Sequence, residues 1–98
     1  MAVEGKRWRY IGFELLDGKL DRREMIRAVR NSFSKDEYSE LEPWLTVFTG
    51  AKGILKVRHM GKDRAIEILN SMKINGVTVK TVVTSGTIKK VKKTLSVE

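Results

Sequence analysis

Along this chain the spacing of hydrophobic positions switches between two residues and about three and a half, and each switch marks a new element. From Arg9 to Leu16 the stretch RYIGFELL alternates, with Ile11, Phe13 and Leu15 on one face and Tyr10, Gly12 and Glu14 on the other. That is the period of a half-buried strand. Asp21 and Glu24 then form a capping box, flanked by Leu20 and Met25 as a hydrophobic staple. Met25, Ile26, Val29 and Phe33 follow at helical spacing. Lys35–Glu42 is polar and acidic, a loop or short helix that Pro43 ends.

Trp44–Phe48 is predicted as a second strand, TGAKG as a tight turn and Gly53–His59 as a third strand. Parity in that strand puts Leu55, Val57 and His59 on one face, and Ile54, Lys56 and Arg58 on the other. A second helix is expected from about Lys62 to Lys73, carrying Ala65, Ile66, Leu69 and Met72 as its stripe. Asn75-Gly76 signals a turn into a last strand, Val77–Thr84.

The order is βαββαβ. With right-handed crossovers this gives an α+β, ferredoxin-like (RRM-like) fold, a four-stranded antiparallel sheet with both helices on one face. No repeat or linker interrupts residues 1–98, so one domain is expected, with a basic lead over residues 1–8.

The stretch TSGTIKKVKKTL remains. Ile88, Val91 and Leu95 fall at i, i+3 and i+7, which predicts a basic C-terminal helix over about 87–95. Thr87 or Ser85 is placed to cap it, and Gly86 frees the backbone to turn. Lys89, Lys90, Lys92 and Lys93 take the remaining surface, without an acid among them. A merely solubilising tail would not need the apolar spacing.

Charge sharpens this picture. Twenty Lys and Arg against twelve Asp and Glu give a net +8 and a pI near 10.0. For a small basic domain, nucleic acid is the commonest polyanionic partner. The rival, an anionic membrane, finds no apolar run near the spanning length, no signal peptide and no lipidation motif, so no membrane partner is expected. The chain has no cysteine, which excludes disulfides and thiolate metal sites and fits a cytoplasmic location.

No autonomous active site is visible in the sequence. The only histidine, His59, ends a strand and reads as a partly buried structural residue. Asp36, Glu37, Glu40 and Glu42 lie in a polar connection and read as a solvated acidic surface or one facing a basic partner. Small acyl-phosphate hydrolases share the fold, but they need a glycine-rich phosphate loop after strand one, where this chain has only LLDGKLDRRE. The strand-three signature of RNA-recognition domains is half met by KGILKVRH: Lys52, Gly53 and Val57 fit, while Ile54, Lys56 and His59 stand in the aromatic places. The sheet face would therefore meet RNA through Lys56 and Arg58 as charge. Arg7 and Arg9, with Lys6, form a second basic cluster.

Two segments carry a resemblance, RWRYIGFELL at strand one and INGVTVKTVVTSGTIKKVKK across the last strand and basic helix. With the pattern between them, the chain resembles the small protein subunit of archaeal and eukaryal ribonuclease P, component two in archaea. The resemblance implies an RRM-like subunit without catalytic residues of its own. It would support a catalytic RNA that removes the 5′ leader of precursor tRNA, with divalent metal (Mg) at the RNA active site and no cofactor on the protein. It also implies pairing with a TIM-barrel subunit, component three, and self-association into a heterotetramer. Arg9, Tyr10 and Ser85 to Lys90 match the family's segments. The candidate RNA contacts are thus Arg7, Arg9, Lys56, Arg58, Ser85, Thr87, Lys89, Lys90, Lys92 and Lys93. The competing reading is a stand-alone RNA-binding or regulatory domain of the same fold, which would not copurify with a large structured RNA.

Overall fold

β1 (Trp8–Leu16) runs through the centre of the sheet and carries its core. The computed structural model describes residues 7–97, so Lys6 of the basic lead lies outside the described residues. α1 (Arg22–Ser32) and α2 (Lys35–Leu41) follow β1, then the β2 (Trp44–Phe48) and β3 (Lys52–Arg58) hairpin. A 3₁₀ turn, His59–Gly61, leads into α3 (Lys62–Ser71), then β4 (Lys73–Ile74), β5 (Val77–Ser85) and α4 (Ile88–Leu95). The sheet is antiparallel, in the order β2-β3-β1-β5-β4.

One face of the sheet holds the main core. Ile11, Phe13 and Leu15 of β1 and Leu55 and Val57 of β3 pack against Met25 and Val29 of α1 and Ala65 and Leu69 of α3. The α1 start is built as its sequence requires. Asp21 accepts from the Glu24 N–H at 2.8 Å, and the Glu24 carboxylate accepts from the Asp21 N–H at 2.9 Å.

Several expectations are corrected. The sheet has five strands rather than four. Asn75 (φ 52°) and Gly76 (φ 83°) both adopt left-handed backbone, the pair of positive φ values that a two-residue hairpin needs. The residues before them therefore pair back, Lys73 opposite Thr78 and Ile74 opposite Val77, and the second long helix stops at Ser71. Of the loop and the short helix left open for the acidic connection, the structure has the helix, because Ser34 and Glu37 make a second reciprocal capping box. His59 belongs to the 3₁₀ turn and is exposed, not set on a strand's apolar face. Ile26 lies beside the buried stripe of α1, and its side chain is 39% exposed.

β5 departs from a regular ladder. Its register with β1 shifts between Gly12 and Phe13, so Val83 pairs with Gly12 and Thr81 with Phe13, leaving Val82 between them. The Asn70 side chain of α3 holds this bulge, accepting from the Thr81 N–H at 2.9 Å and donating to the Thr81 hydroxyl at 3.0 Å.

Candidate nucleic-acid interface

The second face of the sheet is where α4 docks. Val91 and Leu95 are buried there against Ile54 of β3, with Tyr10, Val47, Val83, Ile88 and Val97 packed around them. The seat is made by Gly12. A Cβ at that position would lie 2.7 Å from Val91 Cγ1, 2.8 Å from Val83 Cγ1 and 3.1 Å from Leu95 Cδ1. A glycine inside a strand often marks such a close approach. The face expected to be open is therefore partly covered, and Ile54 shares it with Lys56 only as a buried anchor.

The C-terminal end of α4 is fully tied. Val97 N–H donates to the Lys92 carbonyl at 3.0 Å and Ser96 N–H to the Lys93 carbonyl at 3.2 Å, with Ser96 left-handed at φ 61°. These are the bonds of a Schellman motif. Lys52 of β3 reaches across to donate from Nζ to the Leu95 carbonyl at 2.9 Å, a cation on the negative end of the helix dipole.

The N-terminal end is different. Thr87 is the N-cap but makes no side-chain capping bond, and the first turn has no acid. Ser85 Oγ instead accepts from the Thr87 N–H at 3.2 Å. Lys89 and Lys90 occupy the second and third helical positions, where the dipole favours negative charge. Lys89, Lys90 and Lys93 are exposed and Lys92 is half-buried. With Ile88 and Val97 they line a shallow, open depression.

The arginine cluster divides. Arg9 Nη1 donates to the Trp8 carbonyl at 3.2 Å and lies 3.3 Å from where a Gly86 Cβ would stand, so its guanidinium rests on the Ser85–Thr87 step. Arg9, Ser85, Thr87, Lys89 and Lys90 are thus brought to one end of α4. Arg7 is exposed at the start of β1, and its carbonyl accepts from the His59 N–H at 2.9 Å.

Lys56 and Arg58 sit apart from this group and are already engaged. Lys56 Nζ is 4.3 Å from the centroid of the Trp8 ring. Arg58 Nη1 donates to Glu42 at 3.3 Å, while its Nε is buried without a partner. Two of the four acids expected on a solvated surface or against a basic partner are met within the chain, Glu42 by Arg58 and Glu37 by Arg64 at 2.6 Å. The Arg64 guanidinium, and next the Ser34 N–H, hold the Glu37 carboxyl below the usual carboxylate range. Among the described residues no group of three His, Asp or Glu side chains is placed to hold a metal ion, and no helix is long and apolar enough to cross a membrane.

No protein-family model matches the sequence, and no curated protein does. In structure the chain is similar to a chain in the cryo-EM structure of yeast ribonuclease MRP. The TM-score is 0.69, covering 97% of this chain and 90% of that one, at 12% sequence identity. At that identity the likeness shows a shared fold.

Three residues that shape this face escaped the pattern of the sequence. Gly12 was legible in principle as a glycine inside an alternating strand. Lys52 and Trp44 had no such signal, because a lysine in a hairpin and an aromatic at a strand start are ordinary features.

Proposed function

We propose that this chain is a non-catalytic, RNA-binding subunit of a ribonuclease P-type ribonucleoprotein, supporting the RNA that removes the 5′ leader of precursor tRNA. The observation that carries the reading is α4, a helix seated on the sheet by Val91 and Leu95 with four lysines kept outside. Lysines in its first turn oppose the helix dipole, and a polyanion would relieve that repulsion. The structural likeness to a chain of yeast ribonuclease MRP supports the same class of assembly.

In this reading α4 lysines, with Arg9 beside them, neutralise phosphates, and the contacts position the RNA rather than read its sequence. Divalent metal belongs to the RNA. The protein partners are a TIM-barrel subunit and a second copy of this chain, working in an archaeal cytoplasm.

The decisive experiment is reconstitution of precursor-tRNA cleavage from the RNA and the partner protein, with and without this chain. Cleavage that this chain stimulates, with no cleavage by the RNA-free protein, is the expected result. A chain that never stimulates and never associates with the RNA would sink the proposal.

The lysines have their own test. Replacing Lys89, Lys90, Lys92 and Lys93 with glutamine should leave the fold intact, because helix propensity hardly changes. Each lost phosphate contact should flatten the log-affinity versus log-salt slope, by about 0.7 for single-stranded regions and about 0.9 for B-DNA-like duplex. An unchanged slope would return the lysines to a solvated surface.

A further inference from the structure

Trp44 is the most exposed of the large hydrophobic side chains described, at 65%. It opens β2, an edge strand, directly opposite Lys56 of β3. Lys56 is opposite Tyr10 of β1, and Tyr10 is opposite Ser85 of β5. One rung of the sheet therefore runs from Trp44 to the step that begins α4. Three inter-strand spacings put its two ends about 14 Å apart. Tyr10 lies under α4, but the Trp44 end extends beyond it, where Trp8, Tyr38, Ser39, Glu42, Trp44 and Lys56 line an open groove.

The chemistry of this groove is mixed in a particular way. It has two indoles, and an ammonium that already lies over one of them. The carboxylate on its rim, Glu42, bonds to Arg58. Exposed aromatic faces with an adjacent cation suit an unpaired base and its phosphate, because stacking accepts any base and the cation follows the backbone. A protein partner fits less well, since lysine is depleted in the cores of protein interfaces.

We infer that Trp44, with Lys56 and Trp8 beside it, is a stacking site for an unpaired base of the RNA strand whose neighbouring phosphates meet the start of α4. This rests on the RNA-binding reading and gives it a second contact, separate from the lysines. It also restores to the sheet an aromatic contact at positions outside the strand-three signature, whose own aromatic places hold Ile54, Lys56 and His59.

The test uses single-stranded oligoadenylate and a fully paired RNA duplex, with tryptophan fluorescence and affinity as readouts. The chain has only two tryptophans, so the signal is assignable. Oligoadenylate should quench the parent's emission and the duplex should not. Trp44→Ala should weaken oligoadenylate binding about 5- to 150-fold while leaving the salt slope unchanged. Trp44→Phe should recover most of the affinity, and with Trp8 as the sole indole it should show little quenching. The parent's quenching needs no variant, so the inference stays exposed even if Trp44→Ala folds poorly. If Trp44→Ala and the parent bind equally and neither is quenched, the inference fails while the RNA-binding reading stands. A parent that binds no RNA at low salt overturns both. Normal RNA binding by Trp44→Ala with lost self-association or lost pairing to a protein would make the groove a protein-docking surface and overturn the inference.

Discussion

The two faces of this sheet share the same strands and differ in almost everything else. On one face, Ile11, Phe13, Leu15, Leu55 and Val57 meet apolar side chains from α1, α2 and α3 in a single continuous cluster. On the other, Ile54, Val91 and Leu95 are the fully packed residues, and around them lie lysines, arginines, the half-buried Trp8 and the exposed Trp44. The first face decides that the chain folds. The second holds a helix by a narrow anchor and keeps its charge available. Strand alternation makes both possible at once, because neighbouring residues such as Ile54 and Leu55 serve opposite faces.

The comparison predicts unequal responses to damage. Phe13 is fully buried in the first cluster, and Phe13→Ala should cost about 3–5 kcal/mol. A denaturation curve should show the whole domain melting earlier, α4 included. A midpoint equal to the parent's would mean that the faces are assigned backwards. Gly12→Ala attacks the second face at the point of closest approach. Its new methyl group must displace Val91 and Val83, an overpacking that costs about 1–3 kcal/mol. That loss should fall on α4 first. Amide exchange should speed up in α4 before it does in β1 and β3, and RNA affinity should drop with it. Equal loosening everywhere would show that α4 is part of the main cooperative unit.

The first face was the more legible in the sequence, for a physical reason. Its burial is periodic, and Ile11–Phe13–Leu15 and Leu55–Val57 announce themselves by alternation alone. The spacing of Ile88, Val91 and Leu95 likewise predicted a docked helix. What remained hidden depended on three-dimensional registration. β4 is a two-residue strand and too short to alternate, so only the backbone of Asn75 and Gly76 reveals it. Ile26 fits the helical stripe by spacing, but α1 turns its buried centre towards Met25, Ala28 and Val29. The partners of Arg58, Lys52 and Lys56 come from distant segments, and no local pattern encodes them. Candidate contacts chosen by charge alone therefore mix residues such as Lys89, which is exposed, with Arg58, which is committed to Glu42.

Lys52 tests how α4 is held. Its Nζ–Leu95 carbonyl bond links β3 to the helix end and is partly buried. Lys52→Met keeps the stem but removes the donor, which should cost about 0.3–1 kcal/mol from the dipole interaction and its hydrogen bond. The effect should appear as faster exchange in the last turn of α4, with the global midpoint nearly unmoved. Because this lysine already has a protein partner, its loss should leave the salt slope of RNA binding unchanged, unlike the loss of Lys89 or Lys90. A flattened slope would show that Lys52 meets phosphate and that the helix end is held by the Schellman bonds alone.

Acid should separate the two sides of the molecule with the smallest effect of all. Glu37 of α2 accepts from Arg64 of α3 at 2.6 Å, and Arg64 also bonds Glu67. Its carboxyl is held below the usual range, so its proton binds less tightly in the folded state than in the unfolded chain. The linkage follows from that sign: the stabilisation is fully present above the ordinary carboxylate range and is lost as pH falls through the depressed folded value. The pair is solvent-exposed, so salt should shrink the effect further. α4 has no acid in its first turn, and its cross-link from Lys52 ends on a carbonyl that does not titrate. Amide exchange across an acid pH series, in the parent and in Glu37→Gln, isolates the contribution. Protection in α2 should depend more steeply on pH in the parent than in the variant, while α4 behaves alike in both. If the two proteins differ in α4 as much as in α2, the faces are energetically coupled and the division between a folding face and a binding face does not hold.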